Sequence, residues 1–182
     1  MTAINNSLPA FSSNDQPQIY VACLASYNNG ESHGAWIDAT QEVEEILEQI
    51  SAMLSKSPQP DAEEYAIQGY EGFHGLDIAK DDGIEDIQEK ALFILEHGEL
   101  GAKLLNYYRG NLEYAQEALE SYFGVYENEL DYAIEFFDEC YSDTLPETVR
   151  AYIDYDSFKR DLFIDDCFSI KVGGKSHVFS RH

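Results

Sequence analysis

QIYVACLASYNNGESHGAWI, residues 18–37, decides how the chain begins to fold. Ile19, Val21, Cys23 and Ala25 alternate with Tyr20, Ala22 and Leu24, the two-residue period of a strand with one buried face. Asn28-Asn29-Gly30 offers a turn and Gly34-Ala35-Trp36-Ile37 resumes the apolar run, so the stretch reads as a β-hairpin with a somewhat longer loop. Downstream, Val43, Ile46, Leu47, Ile50, Met53 and Leu54 recur at the three-and-four spacing of one helical stripe, with Thr40 as the expected N-cap. Glu64 to Tyr70 alternates again and supplies a third strand, which closes a small α/β module. Upstream, residues 1–17 carry Asn, Ser and Pro without hydrophobic periodicity and read as a disordered leader.

Beyond the linker Ser55 to Pro60 the period is helical. Ile84, Ile87, Ala91, Leu92 and Leu95 mark one helix; Leu100, Leu104, Leu105 and Tyr108 mark another past a break at Gly98. Two acidic helices follow. The first has Leu112, Ala115, Leu119 and Tyr122 inward, and the second has Leu130, Ala133, Ile134, Phe137 and Tyr141 inward. A helix around Tyr155 to Leu162 and strands at Cys167 to Val172 and His177 to Phe179 complete the chain, with a hairpin turn at Gly174-Lys175-Ser176. The expected fold is α+β, an elongated tandem of three small modules: α/β over 18–72, helical over 73–110, and α+β over 111–182 with the dimer contact.

The 182 residues hold 11 Lys plus Arg against 35 Asp plus Glu, a net charge of −24. A nucleic-acid binder needs a basic face to displace counterions, so direct nucleic-acid binding is excluded, and an anionic membrane surface is disfavoured. At 44% hydrophobic and 13% aromatic the chain nevertheless has the material to build cores. No Lys or Arg occurs in the first 55 residues and no apolar run approaches a membrane span, so the expected location is cytoplasmic. Cys23, Cys140 and Cys167 are odd in number and widely spaced, which reads as buried thiols.

No catalytic constellation emerges. Among 35 carboxylates, close pairs are inevitable and carry no weight for two-carboxylate chemistry. Asp81-Asp82-Gly83 fails as a calcium loop because Ile78 and Lys80 would occupy ligand positions. Gly174-Lys175-Ser176 lacks both the earlier Gly and the following helix of a phosphate loop. The five histidines have no mutual ligand spacing. No catalytic residue, metal or cofactor is therefore expected.

What remains is where the charge falls. Between Gly110 and Glu147 stand eleven carboxylates and no Lys or Arg. Same-face carboxylates at i, i+4 repel by a few tenths of a kcal/mol, roughly the reverse of a favourable pair, so stability does not explain them. The candidate acidic surface comprises Glu42, Glu44, Glu45, Glu48, Glu63, Glu64, Asp81, Asp82, Glu85, Asp86, Glu113, Glu117, Glu120, Glu127, Glu129, Asp131, Glu135, Asp138 and Glu139. It reads either as a solvated face or as an anionic surface shown to a basic site. At about one charge per 1.7 Å of duplex axis, 24 charges correspond to about 12 base pairs of DNA. The apolar run Tyr122-Phe123-Gly124-Val125-Tyr126 is a candidate self-association edge, with Tyr122, Phe123, Val125 and Tyr126 as contact residues; burial within the protomer reads equally well.

Three separated segments, Ile19-Tyr20-Val21-Ala22 through Gly34-Ala35-Trp36, Glu64-Tyr65-Ala66-Ile67, and Tyr152-Ile153-Asp154-Tyr155 with Phe158 and Arg160-Asp161-Leu162, together resemble the ArdA antirestriction family. The resemblance runs from about residue 18 to the C-terminus; the leader and the segment from His97 to Asn111 diverge. It implies a homodimeric DNA mimic, carried on mobile elements and viruses, that occupies the DNA-binding groove of type I restriction-modification enzymes without catalysis. It also implies an antirestriction motif, placed here at about Asn128 to Glu139. The alternative is a general acidic binding module or chaperone for basic DNA-binding proteins.

Overall fold

The computed structural model describes residues 16–60, 62–79 and 82–181. The chain divides into two compact units, Met1–Leu112 and Glu113–His182. The residues expected to form separate modules, 18–72 and 73–110, thus fall within one unit.

In the first unit β1 (Gln18–Cys23) is the central strand of an antiparallel sheet, flanked by β2 (Gly34–Asp38) and β3 (Tyr65–Glu71) in the order β2-β1-β3. Ile19 pairs with Ile37 and Val21 with Ala35, so the hairpin expected from the alternation forms. Its connection is not simply a loop, because Leu24–Asn28 coils into a short helix, α1. Leu24 and Ala25 leave the strand there, and Leu24 N–H donates instead to Glu64 C=O at 3.0 Å. Nor does the expected leader extend through residue 17. Pro17 is buried, its carbonyl accepts from Ala39 N–H at 3.0 Å, and the side chain of Gln16 reaches Asp38. Residues 1–15 lie outside the described residues.

Helix α2 (Val43–Ser55) packs on β1 and β2, burying Ile46, Ile50 and Met53 beside Ile19, Val21 and Ile37. Thr40 is not its cap. The Asp38 carboxylate takes both the Thr40 N–H and its hydroxyl, at 2.8 and 2.6 Å, ending the strand in an Asx turn; Glu42 stands at the cap position. Leu47, expected on the buried stripe, is exposed, because the sheet covers only the narrower arc through Ile46, Ile50 and Met53. Burying those three side chains, at about 1.5–3 kcal/mol each, outweighs the repulsion among the outer carboxylates.

Helix α3 (Ile84–Tyr107) carries the expected break. Gly98 stands at φ 59°, ψ −143°, a region essentially reserved for glycine, and the helix resumes beyond it. Ile84, Ile87, Ala91, Leu100, Leu104 and Leu105 are buried as the period indicates. Leu92 and Leu95 are exposed, and Phe93 and Ile94 take the buried positions instead. The apolar arc here is wide enough for the sequence to admit either side, and the packing surface chooses.

In the second unit, where α4 (Leu112–Glu120) lies almost wholly, β4 (Tyr122–Tyr126), β6 (Lys175–Ser180) and β5 (Cys167–Val172) form an antiparallel sheet in the order β4-β6-β5. Two helices, α5 (Glu129–Tyr141) and α7 (Tyr155–Asp165), pack against each other, with a 3-10 turn Ser142–Thr144 and the short α6 (Glu147–Arg150) between them. Tyr122, expected inside a helix, is a strand residue. Gly173 and Gly174, at φ 57° and 82°, make the β5–β6 turn, one residue earlier than expected. The core gathers Tyr132, Ala133, Leu162, Cys167 and Val178, with Tyr126, Phe136, Phe158 and Phe163 around them. Of the cysteines expected to be buried, Cys23 and Cys167 are, but Cys140, near the C-terminal end of α5, is exposed. Tyr141, expected to pack inward, is also largely exposed.

Candidate functional site

The acidic helices are built alike: each buries an apolar stripe, and most of its carboxylates take the remaining arc. In α2 the stripe leaves Glu44, Glu45 and Glu48 together on the exposed side, with Glu42 preceding them. In α4, Ala115 and Ala118 are buried and Glu113, Glu117 and Glu120 line the opposite face, spanning about 10 Å of axis at 1.5 Å per residue. Glu85 and Asp86 are exposed in the first turn of α3, where the helix dipole favours negative charge, and Glu63 and Glu64 are exposed before β3.

The densest array is on α5. Asn128 caps this helix, its side-chain oxygen accepting from Leu130 N–H at 2.9 Å and Asp131 N–H at 3.1 Å, while its amide donates to the Asp131 carboxylate. Asp131, Glu135, Asp138 and Glu139 with Ile134 line a shallow groove of about 530 Å³. These four carboxylates occupy about 12 Å of axis, roughly one per 3 to 4 Å, close to the 3.4 Å per charge of a single DNA strand. Their field is felt by a neighbour. Tyr126 donates to Glu135 Oε1 at 3.2 Å, and its phenol is pushed up to about 12, first by burial and then by the charges of Glu135 and Glu139.

Not every carboxylate faces solvent unaccompanied. Asp82 pairs with Lys90 at 2.9 Å in a half-buried bridge, Glu127 with Lys175 at 2.9 Å, and Asp138 lies 3.9 Å from Arg150. Glu129 accepts from the Ser169 hydroxyl at 2.7 Å and sits on the other side of α5 from the groove. Asp81 lies outside the described residues. Among the described residues no group of three or more His, Cys, Asp or Glu has the arrangement of a metal site.

The run Tyr122 to Tyr126 becomes β4, an edge strand of the second sheet. Tyr122 shares a hydrogen bond of 2.7 Å with His177 Nδ1, and Tyr126 packs on Tyr132. Phe123 stacks on Tyr132 yet stays 49% exposed, and Val125 is partly buried. A register shift between Tyr122 and Gly124, the latter at φ 134°, bulges this edge.

Among known families, the one described as antirestriction protein (ArdA) matches residues 19–175 of the chain. The chain belongs to the ArdA family. No curated protein matches it. The match spans the acidic faces of α2, α4 and α5 and the edge strand β4, and the family is one of antirestriction proteins rather than a known catalytic family. Membership points to interaction with restriction enzymes. No helix among the described residues is long and apolar enough to cross a membrane.

Residues that sequence reasoning missed follow from packing. Asn128 was legible as the start of a motif but not as the cap that holds it, although Asn two to three residues before an apolar-periodic run is a cap signal. Tyr132, the hub of the aromatic core, sits one position ahead of the expected Ala133 and is set by α7 and the sheet rather than by the period of α5.

Proposed function

We propose that the chain is a DNA mimic that occupies the DNA-binding groove of type I restriction-modification enzymes, blocking restriction, and modification with it, without making or breaking a bond. The carboxylate array on α5, at the charge spacing of a nucleic-acid strand and with no Lys or Arg in the helix, carries this reading. The stripes on α2 and α4 support it, since each sets carboxylates where self-repulsion opposes folding and only a basic partner recovers the energy. In this reading the protein acts in the cytoplasm as a homodimer joined through β4, with Phe123 and Val125 at the contact and Tyr122 and Tyr126 behind them.

Competition tests it: purified protein titrated against labelled target DNA held by a type I methyltransferase core, with polyglutamate of matched charge as control. Displacement near stoichiometry by the protein but not by polyglutamate is expected. Displacement by both only in large excess overturns it in favour of generic capture of basic proteins.

A further inference from the structure

Helix α2 covers one face of the first sheet; the other face carries Tyr20 and Trp36, rings 5.4 Å apart, with Trp36 47% exposed. Beside them is a pocket of about 280 Å³ lined by Tyr20, Tyr27, Glu31, Ser32, His33 and Gln68. Its walls are held in place. Tyr27 lies in the last turn of α1, and the chain then turns through Gly30 at φ 76°, with Gly30 N–H donating to Tyr27 C=O and Glu31 N–H to Ser26 C=O, both at 3.0 Å. Ser26 is fully buried and bonded to Ser57 at 2.9 Å, which anchors the turn beneath. Gln59 donates to Glu31 Oε2 at 3.0 Å, and His33 Nε2 donates to Met53 C=O at 2.8 Å, fixing the far wall.

Two phenol rings and an oriented carboxylate around one concavity favour a cation with a flat face. The charge around it agrees: from Gln16 to Ala79 the sequence holds eleven carboxylates and one cation, Lys56. A guanidinium fits this chemistry better than an ammonium, because it stacks on rings, is weakly hydrated, and meets a carboxylate through parallel N–H donors. We infer that this pocket receives an arginine side chain of the partner protein, stacked on Tyr27 and Tyr20 and paired with Glu31. The inference rests on the reading of the chain as an inhibitor of a basic enzyme, and adds to the charge pattern an aromatic anchor that plain charge would not provide.

Trp36 is the single tryptophan of the chain and touches the Tyr20 wall, so its emission reports the pocket directly. The full-length protein is titrated with acetyl-Gly-Arg-Gly-amide and with the citrulline peptide, which keeps the shape and loses the charge. A saturable change with the arginine peptide alone is expected, with Kd raised about tenfold in Glu31→Gln and in Tyr27→Ala, kept in Tyr27→Phe, and unchanged in Asp165→Asn. An equal response to citrulline, or equal binding by Glu31→Gln and Tyr27→Ala with their far-ultraviolet spectra intact, overturns the inference. The DNA competition above is run alongside. If the wild type displaces DNA but shows no arginine-selective signal, the pocket assignment falls and the mimic stands; the converse result removes the mimic and keeps the pocket.

Discussion

Glu135 is the point at which the acidic face of α5 most opposes its own fold. Asp131 and Glu139 are its i−4 and i+4 neighbours and Asp138 its i+3 neighbour, so three like-charge contacts converge on one carboxylate. At about 0.2–0.5 kcal/mol each, removing them by Glu135→Gln stabilises the second unit by about 0.6–1.5 kcal/mol. The Tyr126 hydrogen bond opposes this only in part, because the glutamine carbonyl still accepts from the phenol and forfeits just the charge-assisted share. The net expectation is a gain of about 0.5–1 kcal/mol, raising Tm by a few degrees for a unit of this size. Differential scanning calorimetry at low salt and at about 1 M salt checks it, since at high salt the screening length falls to about 3 Å and the difference should vanish. The Tyr126 phenol, followed by absorbance as it ionises, should titrate lower in the variant because one of the charges holding it up is gone. A variant that melts lower than the wild type at low salt, or whose shift is independent of salt, refutes the account of α5 as a self-repelling face. In the DNA competition the same variant should lose less than about 1 kcal/mol, since one exposed carboxylate among many contributes little.

Val125→Asp on the edge strand should convert the proposed dimer to monomer by light scattering while leaving helical content intact, and an unchanged mass rules out β4 as the contact. Asn128→Ala removes the acceptor for two amides of the α5 first turn and should cost about 1 kcal/mol by chemical denaturation, weakening competition through a frayed acidic helix. Gly98→Ala forces a side chain into a conformation that only glycine adopts readily and should destabilise by about 1–3 kcal/mol, read as an earlier urea midpoint at unchanged slope. Because the folded pKa of Tyr126 is raised to about 12 from an ordinary value near 10, its contribution is present below about pH 10 and is lost as pH rises through about 12. Stability should therefore fall over that window, and Tyr126→Phe should lessen the fall without abolishing it, because burial also raises the phenols of Tyr122 and Tyr132; an alkaline profile unchanged from the wild type refutes the assignment to Tyr126.

The parts of the molecule legible from the residues are those where local chemistry and burial agree. The alternation through Ile19, Val21 and Cys23, the stripe Ile46, Ile50 and Met53, and the break at Gly98 each have one low-energy solution that short-range sterics select. The acidic helix faces were legible for the same reason: once an apolar stripe is fixed, helical periodicity places most of the Glu and Asp residues on the remaining arc, Glu129 of α5 being an exception that bonds Ser169. Where the apolar arc was wide, the period could not choose, and contact with the sheet or neighbouring helix exposed Leu47, Leu92 and Leu95 while burying Phe93, Ile94 and Tyr132. Long-range contacts decided the rest. Strand order β4-β6-β5 is set by which edges meet in space, the ion pairs Asp82–Lys90 and Glu127–Lys175 join residues whose proximity no local pattern states, and the Tyr20–Tyr27–Glu31 pocket exists only once α1 and its turn fold over the first sheet. Sequence alone determined that the chain would present negative faces, because charge and helical period are local properties; which groups stand together on them is a property of the packed fold.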